Sequence, residues 1–232
     1  MDVCVMGIDQ STQGTKLLLF DAEGNIIYKA DKAHKQYIDE KGWVEHDPDE
    51  IWQNIKTLVK EMLEKMHSEG HEIRAIGISN QRETAMAWNR KTGRPIYHAI
   101  VWQCARGAAI CEKLRQQGGG DAVKKAPGLP LSPYFSAAKL AWILQNVEGA
   151  AELMQESNLC LGTIDSWLVY CMTKGKVFAT DFSNASRTQL FDIDKLQWSE
   201  DVAKMFGISV SSLAKVMDSD GFYGATDFDG IL

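Results

Sequence analysis

The chain has 232 residues, of which 45% are hydrophobic and 24% charged, enough apolar material to fill one substantial domain or two small ones and too much for disorder to be its main state. Acidic side chains outnumber basic ones 31 to 25, for a formal net charge of −6, and no run is rich in Lys or Arg. Broad nucleic-acid binding needs a concentrated cationic face and is therefore not expected.

At the amino end, Met1 to Cys4 has neither a basic region nor a long apolar stretch, so no signal peptide is expected. No run approaches the length of a membrane span, and a cytoplasmic protein is the expectation. The five cysteines, Cys4, Cys104, Cys111, Cys160 and Cys171, are odd in number and include no C-x-x-C pair. A reducing compartment fits them better than a zinc site or a disulfide framework.

Residues 3–8 (VCVMGI), 15–20 and 26–28 are short β-prone runs separated by the turn formers QSTQG and DAEGN, which predicts an antiparallel meander. Next, Ile51, Trp52, Ile55, Leu58, Val59, Met62, Leu63 and Met66 recur at three- and four-residue steps and predict a helix. Asp47 serves as its cap, Pro48 as its first residue, Glu50 as the third member of a capping box, and Gly70 as a left-handed stop. His67 and His71 have the spacing of a helical metal pair. Gly70 falls between them and no carboxylate accompanies them, so the metal reading is set aside.

Residues 72–79 return to strand character. Three strands, a helix and a fourth strand predict a mixed sheet with a helix packed on it. Further strands are expected over 85–88 and 96–102, joined by the turn Arg90 to Gly93, with a flexible loop at Gly118, Gly119 and Gly120. Helices are expected over 136–146, 166–172 and 200–206. The polar, Gly-rich stretch from Asp218 to Leu232 reads as a frayed end.

Four segments have the residue types for chemistry. The hairpin DQSTQGTK from Asp9 to Lys16 gathers hydroxyls, backbone N–H groups and a carboxylate, which suits phosphate oxygens and a water-held cation, or simply makes an ordinary turn. No G-x-x-x-x-G-K-[ST] run exists, which excludes a P-loop. Asn80 to Thr84 (NQRET) follows a predicted buried strand, where ligand clefts form. Arg82 and Glu83 would grip hydroxyls there, or pair with each other on a solvated loop. Trp102, Gln103 and the PYF triplet containing Tyr134 would line an apolar skeleton, or belong to the core. Residues 162–167 and 180–187 are dense in cap and turn formers, with Asp165 as a helix cap.

The order DQSTQGTK, GWVEHDP, GISNQRETAMAWNRKTGRPIYHAIVWQ, PYFSAAKLAWIL, GTIDSWLVYCMT and TDFSNASRTQLFDI resembles the glycerol kinase branch of the FGGY family of sugar and polyol kinases across nearly the whole chain. The resemblance implies an α/β fold of the actin/hexokinase (ribonuclease H-like) type, with residues 1–232 as one N-terminal, substrate-binding domain. It implies an ATP-dependent, Mg²⁺-assisted kinase acting on a small polyol, glycerol by this branch, with homo-oligomerisation of the complete enzyme left open. By the same resemblance Arg82, Glu83, Trp102 and Tyr134 hold the substrate. Thr12, Gln13, Gly14 and Lys16 approach the nucleotide phosphates, and Asp9 lies close to the metal. The family's catalytic base and adenosine-binding half are expected beyond Leu232, so this portion alone is expected to be inactive. The hairpin departs from the branch toward pentulose kinases, and Lys16 stands where an arginine is usual. A pentulose or another sugar alcohol is thus the alternative substrate, and a non-catalytic polyol-binding module is a further one.

Overall fold

The computed structural model describes residues 2–231, with residues 67–69 described by backbone alone. Met1, Leu232 and the side chain of His67 therefore lie outside the described residues, and the frayed end expected up to Leu232 is tested only as far as Ile231. Strands β1 (Asp2–Gln10), β2 (Gly14–Phe20) and β3 (Ile26–Ala33) form the antiparallel meander that the two turns predict. Cys4, Met6 and Ile8 alternate along β1, Leu17 and Leu19 along β2, and all five are buried on one face. Two short strands, β4 (Tyr37–Ile38) and β5 (Val44–His46), precede helix α1 (Pro48–Glu69). The helix lays Ile51, Ile55, Leu58, Val59 and Met62 into the same core as those strand residues. Strand β6 (His71–Asn80) then returns parallel to β1, giving the mixed order β3-β2-β1-β6.

The helix starts and stops where the sequence indicates. The Asp47 carboxylate accepts from the N–H of Asp49 at 2.9 Å and of Glu50 at 3.4 Å, and Gly70 takes φ 76° at the other end. The capping box is corrected. The Glu50 carboxylate accepts instead from the N–H of Lys35, at 3.1 Å, and so ties the helix to the segment after β3.

A second sheet follows directly. Strands β7 (Ala85–Asn89) and β8 (Ala99–Ile100) lead to helices α2 (Ala108–Gln116), α3 (Gly119–Lys125), α4 (Ser136–Asn146) and α5 (Ala150–Gln155). Strand β9 (Leu159–Thr163) closes the sheet in the order β4-β5-β8-β7-β9 and runs into α6 (Ile164–Met172). The strand expected over 96–102 is only β8. The Trp102 N–H turns to the Thr84 hydroxyl rather than to a ladder partner. The flexible loop at Gly118–Gly120 is also overturned: Gly118 is left-handed at φ 76°, and Gly119 begins α3 packed against Met205 and the Leu114 carbonyl.

The remaining strands and α-helices are β10 (Ala179–Asp181), α7 (Phe182–Ala185), β11 (Phe191–Asp192), β12 (Gln197–Trp198), α8 (Glu200–Met205) and β13 (Lys215–Met217). The described stretch after β13 has no regular structure, but it is not frayed. Phe228 is fully buried, its ring stacked on Trp52 at 6.1 Å, while Asp227 pairs with Lys174 and Asp229 with Lys56. No described helix is long and apolar enough to cross a membrane.

Candidate active site

The two sheets meet where β6 ends and β7 begins, and the connecting residues Gln81 to Thr84 lie against the β1–β2 hairpin. Gln81 is buried. Its N–H donates to the Gln10 carbonyl at 3.0 Å, and its Nε2 reaches Gln10 Oε1 at 3.0 Å and the Ser11 carbonyl at 3.2 Å. Gln81 Oε1 accepts from Thr84 Oγ1 at 2.8 Å, and that hydroxyl accepts from the Trp102 N–H at 3.2 Å. The indole Nε1 of Trp102 then donates to Thr12 Oγ1 at 2.8 Å. The hairpin, the NQRET segment and Trp102 are thus joined in one closed hydrogen-bonded ring.

The hairpin is further held from beneath. Nε2 of His34 lies 3.1 Å from the Thr12 carbonyl, and the His34 ring stands edge-on to His46 at 4.3 Å. Burial, with His34 alongside, pushes His46 down to about 3, so it is neutral. Its Nδ1 therefore accepts from Gln81 Nε2 at 3.2 Å. Gly14 has no room for a side chain, because a Cβ there would meet the Lys32 carbonyl at 2.6 Å. Thr12 Oγ1 accepts from an indole, so its own proton is left to donate outward. Among the described residues, the N–H groups of Thr12 and Gln13 meet no protein acceptor. Those three donors fit phosphate oxygens.

Asp9 and Lys16 face each other across β1 and β2, with Lys16 Nζ 3.9 Å from Asp9 Oδ2 and both side chains well exposed. No group of three or more His, Cys, Asp or Glu able to hold a metal exists among the described residues. One exposed carboxylate beside phosphate donors fits a cation held largely by water and phosphate.

The acceptor side gathers around Glu83, which is buried. Its Oε1 accepts from Arg187 Nε at 2.7 Å, while no protein donor meets Oε2 among the described residues. The Arg187 guanidinium lies over the Phe135 ring at 5.1 Å. Phe135 meets Tyr134 edge-on at 5.3 Å, and Tyr134 meets Trp102 edge-on at 5.6 Å. Glu83, Tyr134 and Trp102 are therefore linked by a run of direct contacts, and Trp102 carries that run to Thr12. Tyr134 remains 38% exposed. Arg82 is exposed and makes no ion pair or hydrogen bond among the described residues. It adjoins the site in sequence without being locked into it.

Two supporting residues had no role in the sequence reading, and a third had a different one. Arg187 lay in a stretch read as structural, 104 positions from Glu83. Lys139 is fully buried on α4, and its ammonium donates to the carbonyls of Pro133, Tyr134 and Phe135. A lysine inside the apolar run SAAKLAWIL was the available signal. Asp165 is corrected: Thr163 occupies the cap position, with its N–H donating to Ser166 Oγ at 3.1 Å, while Asp165 sits inside the first turn. Its carboxyl accepts from Thr163 and Thr180, each at 2.5 Å, and burial pushes it up to about 6.

Residues 4–229 match the family described as "FGGY family of carbohydrate kinases, N-terminal domain". "Glycerol kinase 1" of Thermotoga maritima is 46% identical over 223 residues, 96% of this chain but 45% of the relative. "Glycerol kinase" of Alkaliphilus oremlandii is 47% identical over 223 residues, 96% of this chain and 44% of the relative. Among solved structures, Plasmodium falciparum glycerol kinase with ADP matches with a TM-score of 0.92 at 36% identity, covering 97% of this chain and 45% of that one. A xylulose kinase from Lactobacillus acidophilus, at 21% identity and a TM-score of 0.81 over 93% of this chain and 42% of that one, shares the fold. The chain spans under half the length of the curated relatives it matches.

Proposed function

Because this chain belongs to the FGGY family of carbohydrate kinases, whose N-terminal domain it matches, we propose that it forms the acceptor-holding side of a kinase that phosphorylates glycerol with ATP. The observation that carries this reading is the convergence of Glu83, Tyr134 and Trp102 on one surface joined to the Thr12 hairpin. Glu83 Oε2 accepts a hydrogen bond from an acceptor hydroxyl, Arg82 donates to a neighbouring hydroxyl oxygen, and the rings of Trp102 and Tyr134 line the carbon skeleton. The Thr12 hydroxyl, the N–H groups of Thr12 and Gln13, the approach that Gly14 allows and the charge of Lys16 hold phosphate oxygens. Asp9 would hold Mg²⁺ through water, and the ion would offset the charge of the phosphoryl group that ATP supplies. Phosphoryl transfer depends above all on positioning of this kind. In this reading no residue of the present chain is the catalytic base, which belongs to sequence beyond Leu232.

Glycerol is favoured over a pentulose by the 46% identity to proteins named glycerol kinase. The hairpin DQSTQGTK, with lysine at 16, favours a pentulose as the second reading. The test is a coupled ADP-release assay on glycerol, xylulose and xylitol, run on residues 1–232 and on the complete gene product that carries them. Turnover by the complete product is expected to be highest on glycerol. Residues 1–232 alone should be at least about 10²-fold slower, the scale of lost general-base assistance. Preference for xylulose would move the assignment to the pentulose reading. Absence of turnover on every acceptor would overturn the kinase reading.

A further inference from the structure

A lysine is poorly suited to the position of Lys139. It lies in the first turn of α4, where the positive end of the helix dipole disfavours a cation, and it is 0% exposed. No carboxylate pairs with it among the described residues, and its hydrogen-bond partners are three consecutive carbonyls: Pro133 at 2.8 Å, Tyr134, and Phe135 at 3.1 Å. Those carbonyls belong to the segment that carries Tyr134 to Trp102 and sets Phe135 beneath Arg187, the partner of Glu83. All three ammonium protons are used on that one segment.

We propose that Lys139 is the positioning residue of the acceptor site, its ammonium clamping residues 133–135 so that Tyr134 and the Arg187–Glu83 pair are held for substrate, and that the clamp slackens when the ammonium loses its proton. The proposal rests on the polyol reading of that site. A neutral amine has two N–H groups for three carbonyls, and its lone pair then faces the third. The titratable groups around Lys139 are Glu83 from the β6–β7 connection, Cys104 from the segment after β8 and Cys111 from α2. They favour the cation, but burial outweighs them and pushes Lys139 down to about 7.

The sign follows for two readouts. Polyol affinity is highest below pH 7 and falls as pH rises through it. Stability moves oppositely. An unfolded lysine titrates near ~10.4, so between about pH 7 and 10 the folded chain binds fewer protons than the unfolded one, and Lys139 makes stability rise with pH. A lysine that merely filled space would leave polyol affinity flat.

The experiment measures glycerol affinity of the 232-residue chain by calorimetric titration at pH 6.0, 7.0 and 8.5, for the natural sequence and for Lys139→Met, with circular dichroism as the folding control. The natural sequence should lose about tenfold in affinity from pH 6.0 to 8.5. The variant, similar in length but without the cation, should bind at least about tenfold more weakly at pH 6.0 and show no slope, since hydrogen bonds to charged groups of this kind are lost. Equal affinity and equal slope in the two proteins would overturn the proposal. If the natural sequence binds neither glycerol nor xylulose at any pH, the polyol reading fails. Amide hydrogen exchange at Tyr134 to Ser136 then judges the clamp by itself: Lys139→Met should speed it about tenfold at matched pH, and unchanged exchange would refute the clamp.

Discussion

Arg82 and Glu83 are neighbours in sequence and opposites in environment. Glu83 is buried and tied to Arg187, whereas Arg82 is exposed and unpaired among the described residues. Arg82→Ala should therefore change stability by less than about 0.5 kcal/mol, as surface substitutions do. It should nevertheless raise the Michaelis constant for the polyol by roughly 10- to 100-fold, the scale of a lost charged hydrogen bond, and leave that for ATP unchanged. Thr12→Val should do the reverse. It removes the hydroxyl proposed to donate to phosphate and orphans Trp102 Nε1, which should weaken apparent ATP affinity more than polyol affinity. Steady-state kinetics of the complete gene product on both substrates checks the pair, and equal effects of each variant on both substrates would refute the division. The polar pair and the hairpin could be singled out as candidates because each sits within a few residues of the chain. Arg187 and His34 could not be, because each acts through a fold-made contact, across 104 and 22 positions, whereas Lys139 reaches only four to six residues back and was overlooked inside an apolar run.

Helix α1 was the most legible element because its signals are local: a period of 3.6, a side-chain cap and a glycine stop. Asp47→Ala should cost about 1 kcal/mol, leaving the N–H groups of Asp49 and Glu50 without their acceptor. A lower urea midpoint with an unchanged slope is the expected result. Glu50 was misread because its carboxylate serves a partner 15 residues upstream rather than its own cap. The glycine triplet was misread for a related reason. Glycine indicates an unusual backbone or close packing, and Gly119 needs the second, since a Cβ would meet Met205 Cε at 2.7 Å. The two-residue strands β4 and β8 carry no periodicity; β4 pairs with nearby β5, whereas β8 pairs with β5 more than fifty residues upstream.

For the whole molecule, the misjudged segment is the one after β13. Its composition is polar, but a single apolar residue, Phe228, is fully buried against Trp52, with Asp227 and Asp229 in ion pairs on either side. Phe228→Ala should cost about 3 kcal/mol or more, as truncation of a buried aromatic does, where a frayed end would lose nothing. Chemical denaturation of the two proteins distinguishes these outcomes, and an unchanged midpoint would restore the frayed reading. The meander, the crossover helix and the parallel return strand were readable because they follow one another. The second sheet was not, because it assembles from β4, β5, β7, β8 and β9, which α1, β6 and four helices interrupt.

The ring joining Thr12, Trp102, Thr84, Gln81 and Ser11 has one further property. A ring made only of hydroxyls could circulate its protons in either of two senses and would fluctuate between them. Here an indole that can only donate and a backbone N–H that can only donate fix the sense at two points. The Thr84 hydroxyl is left donating to Gln81 Oε1, and the Gln81 amide must turn its NH₂ toward Gln10 and Ser11. The sense of the indole and hydroxyl links is thereby fixed, while the two Gln81 amide protons are shared among Gln10, Ser11 and His46. The indole occupies the accepting side of the Thr12 oxygen, so a charge arriving at the hydroxyl's own proton requires no reversal of the ring.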